Sequence, residues 1–191
     1  MELSLVLLAA GASRRMGRDK RNLELGGKTL FQRALDLMGS FPEAVSLVVT
    51  NDPALAEQAR ARDFLVVPNP RAEEGMGTSV AAAAEVLFSR FVIFFNCDQP
   101  FLDHDCVAAL LACAQATNRI VVPRCQGRLR SPCVFPRRFY SELAQLSGDR
   151  GGRMVYARHP DEVYYLEFPD PKPFQDVDTP EEWEQVLKQH D

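Results

Sequence analysis

The 191-residue chain lacks most of the features by which a function is read at a glance. No apolar run approaches the ~20 residues of a membrane span, so a membrane-embedded protein is not expected. Met1-Glu2 leads straight into the first apolar run, so a secretory leader is not expected. The five cysteines, Cys97, Cys106, Cys113, Cys125 and Cys133, are odd in number and show no C-x-x-C spacing. They are expected to be reduced thiols of a cytoplasmic protein rather than a disulfide framework. The three histidines, His104, His159 and His190, form no ligand pair, so a zinc site is not expected. Positive charge is not in excess either: 22 Lys and Arg stand against 26 Asp and Glu, for a net charge of −4. A general nucleic-acid binder would show the opposite balance.

Both common phosphate loops are also missing. Gly27-Lys28-Thr29 has the tail of a P-loop, but Asn22 stands where its first glycine belongs. Gly11 does not open a G-x-G-x-x-G, because Ser13 takes the second glycine position. What is present is a different arrangement. Leu3–Leu8 is an apolar run that reads as a buried strand, and it ends in the small residues Ala9-Ala10-Gly11. Arg14, Arg15, Arg18 and Lys20 follow, with Met16 and Gly17 among them. A strand ending in a small-residue loop exposes backbone N–H groups, and the cations add positive charge, which together suit a polyphosphate. A local basic cluster in an acidic chain points to a small anionic ligand. The plain alternative is a surface loop of solvated cations.

The remaining chain, 46% hydrophobic and 25% charged, is expected to form one domain over residues 1–191. Strands are expected at Ala44–Val49, Phe64–Val67 and Phe91–Phe95. Helices are expected at Lys28–Met38, at Ala54–Ala61 behind Pro53, and from Thr78 or Ser79, as cap, to near Ser89. This alternation is the signature of a Rossmann-like, doubly wound α/β fold with a mostly parallel sheet. In the strand order 3-2-1-4, the first and fourth strands are neighbours, and Gly11 faces Asp98 across one crevice. Further on come a helix at Asp103–Ala116, a strand at Arg119–Val122, a basic turn from Cys125 to Ser131 and a strand at Pro132–Phe135. The last two predict a hairpin inserted in the C-terminal half of the sheet. Phe139–Leu146 reads as helix and Glu162–Phe168 as strand. Thr179 as N-cap, Pro180 at the first position and Glu181-Glu182 in the first turn begin the final helix.

Asp98 directly follows the fourth strand, at the switch point, where a carboxylate can hold Mg²⁺ against phosphate oxygens. It is also the ordinary opening residue of a turn before Pro100. Asn51 and Asn69 end the second and third strands on the same sheet edge, and their amides can read a base or ribose or simply form the turns beside Pro53 and Pro70. Arg128 and Arg130 are candidates to grip an acceptor phosphate. Asp178 precedes a helix, where an acidic residue is a favourable capping group.

The stretch Leu8-Ala9-Ala10-Gly11-Ala12-Ser13-Arg14-Arg15-Met16-Gly17, with Lys20, closely resembles the signature L-A-[AG]-G-x-S-x-R-M-G followed by lysine. That signature is carried by the nucleotidyltransferases of molybdenum-cofactor maturation, the MobA-like NTP transferases. Asp98-Gln99-Pro100 and Asp176-Val177-Asp178-Thr179-Pro180 extend the resemblance. It implies the nucleotide-diphospho-sugar transferase type of fold. It also implies nucleotide contacts from Leu8, Ala9, Ala10, Gly11, Arg15, Met16, Gly17, Lys20, Asn51, Asn69 and Ser79. Arg15, Lys20 and Asp98 become catalytic, and Asp98 and Asp178 become Mg²⁺ ligands, with Asp176 supporting their geometry.

Leu8-Ala9-Ala10-Gly11 in place of L-A-G-G, and only Arg18-Asp19 before Lys20, are similar to the CTP-using branch rather than the GTP-using one. Gly75-Met76-Gly77-Thr78-Ser79 and the run from Gly148 to Arg153 match that branch as well. On the acceptor side the chain departs from it: Arg130-Ser131-Pro132 stands where the cytidylyl branch has G-[NH]-P, so Arg128, Arg130 and Ser131 would meet the acceptor. The resemblance implies transfer of CMP from CTP to the phosphate of molybdopterin, with a recipient molybdoenzyme downstream. A guanylyl donor or another phosphate acceptor is the alternative within the fold. A non-catalytic carrier of the cofactor is the alternative outside it.

Overall fold

The computed structural model describes residues 2–11 and 19–190. Strand β1 (Leu3–Leu8) is followed, after the short turn Lys20–Asn22, by two two-residue strands, β2 (Glu24–Leu25) and β3 (Lys28–Thr29). These form a small antiparallel hairpin whose turn is Gly26-Gly27, at φ 61° and 76°. Two consecutive positive φ values suit glycine and a tight hairpin. Lys28 and Thr29 therefore belong to a strand and not to the expected helix. Helix α1 (Leu30–Gly39) starts after Thr29, whose hydroxyl accepts from Gln32 N while the Gln32 side chain accepts from Thr29 N. This reciprocal capping box fixes the helix start.

Then come β4 (Val45–Val49), α2 (Pro53–Arg60), β5 (Leu65–Val67), α3 (Met76–Ala84) and β6 (Phe91–Asn96). Asp52 caps α2 by accepting from Ala54 N and Leu55 N. Helix α3 begins at Met76, with Gly75 at φ 119° before it and no side-chain cap. Thr78 and Ser79 lie inside its first turn and do not cap it. Next are α4 (His104–Thr117), capped by Asp103, then β7 (Ile120–Cys125), β8 (Arg128–Leu129) and β9 (Val134–Pro136). The chain closes with α5 (Tyr140–Leu143), α6 (Arg153–Tyr156), β10 (Val163–Glu167) and α7 (Pro180–His190).

The main sheet runs β10-β7-β9-β6-β1-β4-β5, with β8 pairing β7. Strands β5, β4, β1 and β6 are parallel neighbours, which is the expected 3-2-1-4 order. The insertion takes a specific form. Strand β8 folds back antiparallel on β7, and β9 then runs antiparallel between β6 and β7. Strand β10 closes the edge parallel to β7.

Strands covered on both faces need apolar side chains at every position, which explains the unbroken run of β1. Leu3, Leu5 and Leu7 of β1 and Phe91, Ile93 and Phe95 of β6 pack under α1, α4 and α7, against Phe31, Leu110 and Trp183. Val6 and Val92 point the other way, into a second layer with Val80, Leu143 and Val155. No helix among the described residues is long and apolar enough to cross a membrane.

Candidate active site

Parallel pairing brings the strand ends level. Leu8 sits between Val49 of β4 and Asn96 of β6, and Ala9 N continues the ladder by donating to Val49 O at 2.9 Å. The segment Ala9-Ala10-Gly11 and the segment Cys97-Asp98 therefore leave the same sheet edge side by side. Ala9 is buried, Leu8 and Ala10 are half-buried and Gly11 is exposed, with no atom within 4 Å of where a Cβ would stand. Arg15, Met16 and Gly17 lie outside the described residues.

Lys20 enters the site from the first residue of its turn. Its Nζ lies 2.5 Å from Asp178 Oδ1 and 3.6 Å from Asp98 Oδ2, with only 13% of the side chain exposed. Asp178 is brought there from far along the chain because Val177 N donates to the Asp98 carbonyl at 2.8 Å. The start of α7 is secured by Glu182, whose Oε2 accepts from Asp178 N at 2.7 Å and Thr179 N at 2.9 Å. Thr179 Oγ1 in turn accepts from Glu182 N, completing a capping box.

Asp98 Oδ1 is buried with no hydrogen-bond partner among the described residues. Desolvation pushes its carboxyl above the usual range; Lys20 opposes that rise and Asp178 adds to it. Asp176 keeps an exposed surface, but loss of hydration on its protein side, reinforced by Asp98, raises its carboxyl to about 6.

Next to the acids, Gln99 Nε2 donates to Ser131 O at 2.9 Å and to Ser131 Oγ at 3.2 Å. This ties the loop after β6 to the loop before β9. Arg130 is half-buried, and its Nε is the other buried polar atom with no partner among the described residues. Ser131 and Arg130 thus lie beside the acidic residues, whereas Arg128 is exposed on β8. His104 is exposed at the first position of α4 and stacks on Phe41, with 4.5 Å between ring centroids.

A second group forms beyond β4. Asn51 Nδ2 donates to Asn69 O at 2.6 Å, and its Oδ1 accepts from Asn69 N at 2.8 Å. Asn69 is 2% exposed, and its Nδ2 donates to Thr78 Oγ1 and Ser79 Oγ, both at 2.9 Å. Its Oδ1 accepts from Arg71 N at 3.0 Å. Asn51, Asn69 and Ser79 are therefore gathered in one network whose amides are already engaged with the protein. Gly77 N donates to Gly148 O at 2.8 Å, so the first turn of α3 abuts the loop after α5. A Cβ on Gly77 would lie 2.7 Å from Arg150 O, which explains why glycine stands there.

Sequence reasoning missed Asp19 and Arg21. Arg21 Nη1 donates to Ala9 O at 2.6 Å, and its Nη2 lies 2.6 Å from Asp19 Oδ2 and 3.8 Å from Asp52 Oδ2. Hydrogen bonding to Arg21 holds the Asp19 carboxyl below its usual range. The only signal in the sequence was adjacency to Lys20.

The sequence profile of the MobA-like NTP transferase domain matches residues 5–163. The chain belongs to that family. Among its relatives, the purine catabolism protein PucB of Bacillus subtilis is 32% identical, across 96% of this chain and 95% of the relative. The nicotine blue oxidoreductase of Paenarthrobacter nicotinovorans is 30% identical over 95% of each chain. A molybdenum cofactor guanylyltransferase of Rhizobium johnstonii is 32% identical over 64% of this chain and 57% of its own length. Among solved structures, Rv0371c of Mycobacterium tuberculosis superposes with a TM-score of 0.81 at 26% identity, across 98% of both chains. A CMP-2-keto-3-deoxy-manno-octonic acid synthetase complexed with CTP shares the fold, with a TM-score of 0.80 at 13% identity, across 99% of this chain and 98% of the synthetase. A MobA-like domain is a nucleotidyltransferase domain, and the acidic pair with its lysine lies where the doubly wound fold binds ligands.

Proposed function

We propose that this MobA-like domain transfers CMP from CTP to the terminal phosphate of a molybdopterin-type acceptor and releases pyrophosphate, with Mg²⁺ as cofactor. The observation that carries the reading is the convergence of Lys20, Asp98 and Asp178 at the ends of β1 and β6. The donor set fits a hard divalent cation: two carboxylates converge on Lys20, and one buried oxygen, Asp98 Oδ1, has no partner among the described residues. Among the described residues no third acidic, histidine or cysteine side chain completes an all-protein cage. That suits Mg²⁺, which commonly takes one or two carboxylates and draws further ligands from phosphates and water. When bound, the ion supplies positive charge to the triphosphate oxygens.

The chain's own groups do the rest. Asp98 and Asp178 hold the ion, Lys20 neutralises charge developing on the leaving pyrophosphate, and the small residues Ala9, Ala10 and Gly11 let the triphosphate approach the backbone. An oxygen of the acceptor phosphate attacks the α-phosphorus, and the bond from that phosphorus to the β-phosphate oxygen breaks. The acceptor phosphate is already ionised at neutral pH, so no general base is needed, and catalysis is positioning plus charge stabilisation. Arg130 and Ser131 stand on the acceptor side.

Leu8-Ala9-Ala10-Gly11 and the short spacing from Gly17 to Lys20 support CTP. A second reading, GTP as donor, is favoured by the relatives named molybdenum cofactor guanylyltransferase, at 27–32% identity. Thermal unfolding with each nucleotide and Mg²⁺, followed by pyrophosphate release with a molybdopterin acceptor, decides between them. Ligand binding to the native state stabilises by ~2.7 kcal/mol at a hundred times its Kd. A Mg²⁺-dependent rise with CTP is expected. A rise with GTP alone moves the protein to guanylyl transfer, and no rise with any nucleotide overturns the reading.

A further inference from the structure

We propose that Arg21 is a positioning residue for the triphosphate: it holds the Ala9–Ala10 peptide so that Ala10 N–H faces the crevice between β1 and β6. This inference rests on the reading of that crevice as the nucleotide site. Arg21 sits on the β4 side of the strand end. Its Nη1 donates to Ala9 O at 2.6 Å, and its Nη2 lies 3.8 Å from Oδ2 of Asp52, just past the end of β4. Ala9 N points the same way, donating to Val49 O of β4 at 2.9 Å. The Ala9–Ala10 peptide is trans, so Ala10 N–H points opposite to Ala9 O. That direction leads toward β6, whose chain continues into Cys97-Asp98. A backbone N–H so placed can donate to a phosphate oxygen.

Packing holds Ala9 but weakens beyond it. Ala10 is only half-buried, and a Cβ on Gly11 would meet no atom within 4 Å. The orientation of this peptide therefore leans on its hydrogen bonds. Arg21 is held ready for that role. Asp19 Oδ1 accepts from its Nε at 2.8 Å and Asp19 Oδ2 from its Nη2 at 2.6 Å, a two-pronged pairing that aims Nη1 at Ala9 O. The turn itself is closed by other bonds. Asp19 Oδ1 accepts from Arg21 N at 3.0 Å, and Leu23 N donates to Lys20 O at 3.1 Å. The guanidinium thus acts on the strand end rather than on its own turn.

The test is calorimetric titration of the full-length protein with inorganic triphosphate and Mg²⁺, a probe without base or sugar. Wild type is expected to bind it. Arg21→Met is expected to bind about fivefold more weakly, as a charge-assisted hydrogen bond to Ala9 O is lost. Arg21→Lys keeps the charge but cannot make the two-pronged pairing, and it is expected to match Arg21→Met. Asp19→Asn keeps the oxygen that caps the turn and loses the one facing Nη2. It also removes a negative charge near an anionic ligand, which by charge alone tightens binding. Weaker binding is expected instead. In turnover with CTP, all three variants are expected to raise KM more than they lower kcat. Circular dichroism confirms folding of each variant. Wild-type affinity in Arg21→Met or Arg21→Lys, or tighter binding in Asp19→Asn, overturns the positioning role and leaves the nucleotide site standing. A wild-type protein that binds neither inorganic triphosphate nor CTP overturns both.

Discussion

Two polar clusters flank the end of β1, and they are built on opposite terms. Around Asn69, Asn51, Thr78 and Ser79, the Asn69 amide hydrogens and carbonyl oxygen are engaged within the protein. In the cluster of Asp98, Asp178, Lys20 and Arg130, Asp98 Oδ1 and Arg130 Nε are buried with no hydrogen-bond partner among the described residues. An unpaired buried polar atom costs free energy that folding does not recover, and such groups concentrate where a ligand completes them. The first cluster is bonded internally and ties two loops together. The second gathers charged groups from distant parts of the chain.

The contrast predicts that substitutions in the charged cluster cost activity, whereas substitutions in the neutral cluster cost stability. The largest effect is expected for Asp98→Asn: a loss of turnover of about 10²–10³-fold, typical of removing one electrostatic contact, with an unchanged or raised melting temperature. Pyrophosphate release and calorimetry on one preparation check both halves, and a large drop in stability would erase the distinction. Asn69→Ala is expected to destabilise by roughly 1–3 kcal/mol in urea unfolding, since the buried Thr78 and Ser79 hydroxyls lose a partner. Gly77→Ala belongs with it: a Cβ would press on Arg150 O and Gly148 O, and overpacking costs about 1–3 kcal/mol.

Arg21→Met tests the seam between the clusters. Losing the contact to Ala9 O is expected to raise the KM for CTP several-fold while kcat changes little, measured in the same assay. The smallest effect lies far from the site, at Asp36. Partial burial works against its ionisation, but hydrogen bonds from Lys28 and Arg62 outweigh it and hold the carboxyl below its usual value. A depressed folded-state pKa contributes stability above the unfolded value near 4, and that contribution is lost as pH falls through the folded value. Asp36→Asn is therefore expected to cost under about 1 kcal/mol at pH 7, and the deficit should vanish in acid unfolding below about pH 3.

The sheet was legible where burial writes itself into composition. Leu3–Leu8 and Phe91–Asn96 are apolar because both faces are covered, and their order followed from α/β alternation. The start of α3 was not legible. Local propensity points to Thr78 or Ser79 as the cap, but contact between Gly77 and the distant Gly148 sets that turn. The β2–β3 hairpin was missed because two-residue strands carry no periodicity, although Gly26-Gly27 signals the turn. In the site, Asp98 stood out by its place after a strand. Asp178 was visible from resemblance alone, because the bond that docks it, Val177 N to Asp98 O, joins residues far apart in sequence. Arg21 shows the same blindness at shorter range.

Strand β9 has a consequence for how the molecule is assembled. In the main sheet, among the described residues, it is the strand that links β6 to the β7–β10 edge. Strands β5, β4, β1 and β6 are all present once residue 96 has been made, so the half that carries Asp98 can pair early during synthesis. The edge of β6 then waits for residues 134–136, and the long-range closure that follows is of the slow kind. Until β9 arrives, the open side of β6 is the exposed edge most prone to pairing with another chain.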